Sequence, residues 1–151
     1  MLEQPTPRFW YNTPLARWLA VALWMGVIFV LSSRPDLPKA PGPLLDWLLK
    51  KGAHFTVYAV LALLLSRALE WHPRVWGWAW LLAVLYAVSD EYHQLFVSIR
   101  HPQATDVLID ACGAATALLI AWLFRRRSKQ RIESVVSRPW SVIEERRMTD
   151  D

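Results

Sequence analysis

The fold turns on "VWGWAWLLAVLYAVSDEYHQLF", residues 75–96. Its first fourteen residues are apolar and carry no charge, which reads as a helix crossing lipid. Its end then places Asp90, Glu91, His93 and Gln94 where that helix should still lie within the membrane. About 20 apolar residues span the hydrocarbon core as a helix. Working outward, three further blocks approach that length: Leu15–Ser33, Gly52–Leu69 and Asp106–Phe124. The first is followed by more spans and by no small-residue cleavage site, so it reads as a retained helix rather than a signal peptide.

At 151 residues the chain is one domain or less. It is 54% hydrophobic with ten Trp and a mean hydropathy of +0.19, and the apolar residues come in blocks rather than alternating with polar ones. The expected fold is an all-α integral membrane protein, an antiparallel bundle of four transmembrane helices. Residues 1–14 read as a cytoplasmic N-terminal segment, 15–124 as the membrane domain and 125–151 as a basic cytoplasmic tail. Beyond Phe124 a packed core is not expected. The single cysteine, Cys112, excludes an intrachain disulfide and reads as a small packing residue.

The net charge of +4 does not point to nucleic acid. Eight of the 17 Lys and Arg lie between Arg125 and Arg147, beginning with "RRRSKQR" directly after the fourth block, and no aromatic or Gly pattern accompanies them. A basic segment beside a membrane belongs on the cytoplasmic side, against anionic lipid. With both termini inside, twelve basic residues face the cytoplasm against five outside, so the expected location is the plasma membrane with cytoplasmic termini. Trp10, Trp18, Trp71, Trp76, Trp78 and Trp122 then all fall near the inner interface. "EWHPR" (70–74) reads as a short turn joining the second and third spans into a hairpin. "SRPDLPKAPGP" (33–43) reads as a proline-rich outer loop leading to "LLDWLLKK" (44–51), a short interfacial helix.

Polar residues gather at one depth. Lys51, His54 and Tyr58 share one face of the second span, and Tyr86, Asp90, His93 and Gln94 one face of the third, with Glu91 beside them. Asp106 and Asp110 open the fourth on a face continued by the small residues Gly113 and Ala117, which permit close helix approach. Lys51 and His54 stand at a helix N-terminus, and Asp90 and Glu91 near a C-terminus, so both oppose the helix dipole. Local rules broken together call for a compensating contact or a functional site. The expected compensation sets Lys51 and His54 opposite Asp90 and Glu91, with Arg100 above. Each residue alone has a plainer use: Lys50 and Lys51 snorkel, His54 packs, Asp106 favours its own helix start. Adjacent carboxylates at Asp90 and Glu91 lack such a use, and intramembrane ionisable groups are by default functional.

"LSSRPDLP", "KGAHFTVYAVLALLL", "SDEYHQLF", Arg100 and "DVLIDACGA" resemble the VanZ-like membrane proteins over Val27 to Ala121. The chain departs from that pattern at Ser98-Ile99, where Pro-Gly is frequent, and at Asp110, where Asn is frequent. The resemblance implies a membrane protein of the cell envelope, in a family named for a member associated with teicoplanin resistance, but supplies no reaction.

Two functions suit these residues. In the first, an intramembrane enzyme acts on an anionic or lipid-linked envelope substrate. Glu91 or His93 serves as general acid or base, and Asp90 orients His93 or His54. Lys51 and Arg100 hold the anion, and Tyr58, Gln94, Asp106 and Asp110 complete the substrate contacts. In the second, the same network binds a lipid or glycopeptide without chemistry. No cofactor is expected, and the ligand spacing matches no established metal motif, which ranks metal-free acid–base work first. A proton relay is disfavoured, because the inner halves of the third and fourth spans carry no charge.

Overall fold

The computed structural model describes residue 11 and residues 13–34, 40–97 and 103–136. These form four α-helices: α1 (Pro14–Ser32), α2 (Pro43–Ala68), α3 (Trp76–Gln94) and α4 (Ala104–Val136). No strand occurs among the described residues. The chain is therefore an all-α bundle, as its apolar blocks predict. By length and composition α1, α2 and α4 can each cross a membrane. α3 matches α1 in length at 19 residues but is not among them, since it ends in "SDEYHQ".

Only 17–22% of each apolar window is buried inside the protein. Side chains such as Leu23 (72% exposed) and Leu108 (65%) point outward. Water would disfavour an apolar surface of this extent, whereas lipid accepts it. This is a membrane protein.

Helix ends follow local chemistry. Thr13 caps α1 by accepting from Ala16 N at 3.3 Å, with Pro14 in the first turn where its missing N–H costs nothing. Gly42, at φ +87°, supplies the left-handed turn before Pro43. α2 then runs unbroken, so the segment read as a separate interfacial helix is its first two turns. Gly52 alone is too weak a breaker, at about 1 kcal/mol, to divide it. Asp46 accepts from Ala40 N and from Lys50 Nζ, which ties Lys50 to the local surface. Between α2 and α3, Glu70 and Trp71 take positive φ values of 63° and 54°. The N–H of Trp71 bonds Ser66 O at 2.8 Å, which closes the hairpin without glycine.

The chain divides into two compact units, Met1–Leu118 and Leu119–Asp151. The first holds α1, α2, α3 and the start of α4. Its core is built on small side chains: Ala79, Ala83 and Ala87 form a fully buried stripe on α3, with Tyr58, Leu61 and Ala62 of α2, Ile28 of α1 and Ala114 of α4 also buried. Small residues let helices approach where no hydrophobic drive exists in lipid. Ring donors stitch helices together: Trp24 Nε1 to Val57 O, Tyr86 OH to Met25 O and Trp80 Nε1 to Ala111 O, at 2.9, 2.7 and 3.1 Å. Gly113 is needed where it stands, because a Cβ there would collide with the backbone of Phe55 on α2. Cys112, beside it, is exposed rather than packed.

In the second unit, α4 continues through the basic segment to Val136. Arg, Lys, Gln and Glu are good helix formers. Lys129 and Glu133 pair at 3.9 Å, and the Arg126 guanidinium lies over the Trp122 ring at 5.1 Å.

Candidate functional site

The C-terminal ends of α1 and α3, the start of α4 and the middle of α2 meet at one level of the first unit. α1 brings Ser32 and Ser33, α2 brings Lys51, His54 and Tyr58, α3 brings Asp90, Glu91, His93 and Gln94, and α4 brings Gln103, Asp106 and Asp110. Contacts give the directions. Lys51 bonds Asp106 and His54 bonds Asp110, so α2 and α4 advance together. Tyr86 bonds Met25 while His93 meets Ser33, so α1 and α3 also advance together. The pairing of Trp80 with Ala111 and of Glu91 with Gln103 makes α3 antiparallel to α4.

The cations find partners other than those expected. Lys51 pairs with Asp106 instead of Asp90 or Glu91. His54 Nδ1 meets Asp110 Oδ1 at 3.2 Å, with Asp110 only 1% exposed. The reason is register: α2 and α4 start at the same end, so residues three apart on one fall beside residues four apart on the other. The first-turn position of Asp106 also suits the α4 dipole. Arg100, expected overhead, lies outside the described residues.

The α3 carboxylates are held by neutral donors. Asp90 Oδ2 accepts from Ser32 Oγ at 2.7 Å and from Gln94 Nε2 at 3.2 Å. The same Gln94 amide donates to Glu91 Oε1 at 3.2 Å, and Gln103 N donates to Glu91 Oε2 at 3.0 Å. Asp90, Glu91 and Gln94 are all buried, continuing the alanine stripe. Glu91 thus sits on the packed face rather than beside it. His93 falls at the flank, its ring 4.5 Å from Phe29 and its Nε2 3.2 Å from Ser33 Oγ. Among the described residues no hydrogen bond joins Asp90 to either histidine.

Among the described residues two buried oxygens have no hydrogen-bond partner, Tyr58 OH and Asp90 Oδ1. The Tyr58 phenol is within electrostatic reach of Asp90, Asp110 and Glu91. One ligand atom each from His54, Glu91 and Asp106 lies within 4.8 Å of the others, a set that could hold a metal ion.

The described clefts lie elsewhere than at this cluster. One of about 370 Å³ is lined by Arg17, Arg67, Glu70 and Trp71, near the Arg17–Glu70 ion pair at 3.7 Å. Another of about 340 Å³ is an apolar groove between α1, α2 and α3, lined by residues including Trp18, Met25, Leu61 and Tyr86.

Ser32, Ser33, Phe29 and Gln103 were not singled out from the sequence. A serine pair ending an otherwise apolar helix was a usable signal for the first two. Gln103 acts partly through its backbone N–H, for which side-chain identity gives no signal.

A helical bundle with an apolar exterior, and with ionisable side chains from three helices converging at one level, is a multi-pass membrane protein carrying a polar cluster. The chain belongs to the VanZ/LLP1 family, whose model matches residues 17–125. No curated protein and no solved structure matches it.

Proposed function

We propose that this VanZ-type protein works at the outer face of the plasma membrane, where its polar cluster acts on an anionic or lipid-linked envelope substrate. In this reading Glu91 and His54 exchange the proton, Asp110 holds the His54 ring, and Lys51 with Arg100 receives the anionic group. Tyr58 and Gln94 contact the substrate, and Asp90 with Asp106 fixes the surrounding donors. The family name and its association with teicoplanin suggest a role in glycopeptide resistance. The observation that carries the proposal is the convergence of His54, Glu91 and Asp106, with a buried carboxylate behind the histidine.

A second reading is non-catalytic: the cluster locks the bundle and holds a lipid or glycopeptide. It is favoured by the contacts these groups make with one another, Lys51 with Asp106 and Glu91 with Gln94 and Gln103.

Purification in native-lipid nanodiscs, with mass spectrometry of co-purifying lipids, tests both. A defined anionic lipid retained by wild type and lost with Lys51→Met locates the site. Glu91→Gln then separates the readings: retained lipid with lost teicoplanin phenotype supports chemistry, and joint loss supports binding. No specific lipid on wild type would sink both.

A further inference from the structure

We propose that His54, Glu91 and Asp106 form a binding site for one divalent transition-metal cation of the Zn²⁺ or Mn²⁺ type. The inference does not depend on the substrate reading and replaces its proton-exchange roles: with the ion bound, His54 and Glu91 are ligands and do not exchange a proton.

The first argument is convergence. The three residues come from α2, α3 and α4, yet one ligand atom of each lies within 4.8 Å of the others. Nitrogen and oxygen ligands sit about 2.0–2.2 Å from Zn²⁺, so tetrahedral neighbours are about 3.4 Å apart.

The second is orientation. His54 Nδ1 faces Asp110 Oδ1 at 3.2 Å, and Asp110 is 1% exposed and outside the triad. A buried carboxylate accepting from Nδ1–H leaves the lone pair on Nε2. Metal-ligating histidines are held this way, by a second carboxylate behind the ring.

The third is charge. The described cluster holds four carboxylates, Asp90, Glu91, Asp106 and Asp110, against Lys51 and His54. Among the described residues named here, two net negative charges remain even with His54 protonated, Arg100 lying outside the described residues, and charge in this setting is costly. A divalent cation offsets both. It also lets a carboxylate-rich cluster receive an anionic headgroup that it would otherwise repel.

The fourth is the pair of orphaned oxygens. Asp90 is 4% exposed with Oδ1 unpartnered, and Tyr58 is 1% exposed with its OH unpartnered. Gln94 bonds both Asp90 and Glu91, which places Asp90 one hydrogen bond from a proposed ligand. The imidazole ligand favours a transition metal over Mg²⁺ or Ca²⁺.

The test uses the untagged full chain in nanodiscs, stripped with chelator and then dialysed against micromolar Zn²⁺ or Mn²⁺. Bound metal is counted by mass spectrometry, and the melting temperature is read with and without metal. Wild type is expected to take up about one ion per chain and melt higher when loaded. His54→Ala and Glu91→Gln lose the ion, Asp110→Asn weakens it by about 10–100-fold, and His72→Ala, on the α2–α3 turn, leaves uptake unchanged. Co²⁺ substitution adds a readout on unmutated protein, since visible bands more intense than those of the hydrated ion report a low-coordinate protein site. Uptake no greater than that of an empty nanodisc overturns the proposal. So does uptake unaffected by His54→Ala and Glu91→Gln in variants that keep their helicity.

Discussion

His54 on α2 and Asp110 on α4 meet at 3.2 Å, one helical turn beyond the Lys51–Asp106 pair on the same two helices. Because α2 begins at Pro43, Lys51 and His54 lie about two to three turns into the helix, beyond the reach of its N-terminal dipole, so the dipole conflict expected for them does not arise. Each is answered instead by a carboxylate of α4.

Asp110→Ala removes the acceptor behind His54 and leaves a half-buried imidazole without its partner. We expect a loss of about 1–3 kcal/mol in unfolding free energy. Asp110→Asn, which still accepts a hydrogen bond, should lose less. Denaturant unfolding in mixed micelles measures both, and equal losses would contradict the contact.

The Lys51–Asp106 pair is mostly enclosed, with side chains 16% and 15% exposed, whereas Lys50 is 43% exposed beside Asp46. A double-mutant cycle on Lys51→Met and Asp106→Asn should give a coupling of about 1 kcal/mol or more. The same cycle on Lys50 and Asp46 should give about 0.3–0.5 kcal/mol, as for exposed helical pairs. Reversal of that order would mean that Lys51 snorkels.

Gly113→Ala forces α4 away from the Phe55 backbone, and overpacking of this kind costs about 1–3 kcal/mol. Gly52→Ala meets nothing within 4 Å and should be neutral or stabilising by up to about 1 kcal/mol. Thermal unfolding of the two variants side by side is decisive, because the chemical change is identical.

His93 lies against Phe29 and Ser33 of α1. His93→Phe should therefore lower stability modestly while keeping most of any lipid-binding or resistance phenotype, and His54→Phe should abolish that phenotype. A drug-susceptibility assay with matched expression levels reads the difference. Equal loss from both would return His93 to the centre of the cluster.

Cys112 is exposed on α4, a helix long and apolar enough to cross a membrane. In intact membranes it should resist a charged, impermeant thiol reagent and become reactive only after denaturation. Rapid labelling in native membranes would place water on that face of α4.

The apolar blocks at residues 15–33, 52–69, 75–96 and 106–124 were enough to set the helix count and the all-α class. Twenty apolar residues in lipid leave the backbone no alternative to internal hydrogen bonding. The polar residues at a shared depth were legible for the same reason: depth follows from counting residues along a helix. Helix ends were less legible. α2 swallowed "LLDWLLKK", and α4 ran on through "RRRSKQR", because neither junction contains a residue that stops a helix.

Partner choice belonged to the tertiary structure. From sequence, Lys51 and His54 had two carboxylate pairs within reach at one depth, and sign alone cannot choose between them. Rotation of each helix about its axis decides it, and that is fixed by packing: the alanine stripe of α3 and the closeness of Gly113 to Phe55. Those contacts turn Asp106 and Asp110 toward α2 and bury Glu91. They leave His93 beside α1 and bring in Ser32 and the Gln103 backbone. Depth is a one-dimensional property of a chain in a membrane, so the sequence determines it; facing depends on neighbours, so only the packed bundle does.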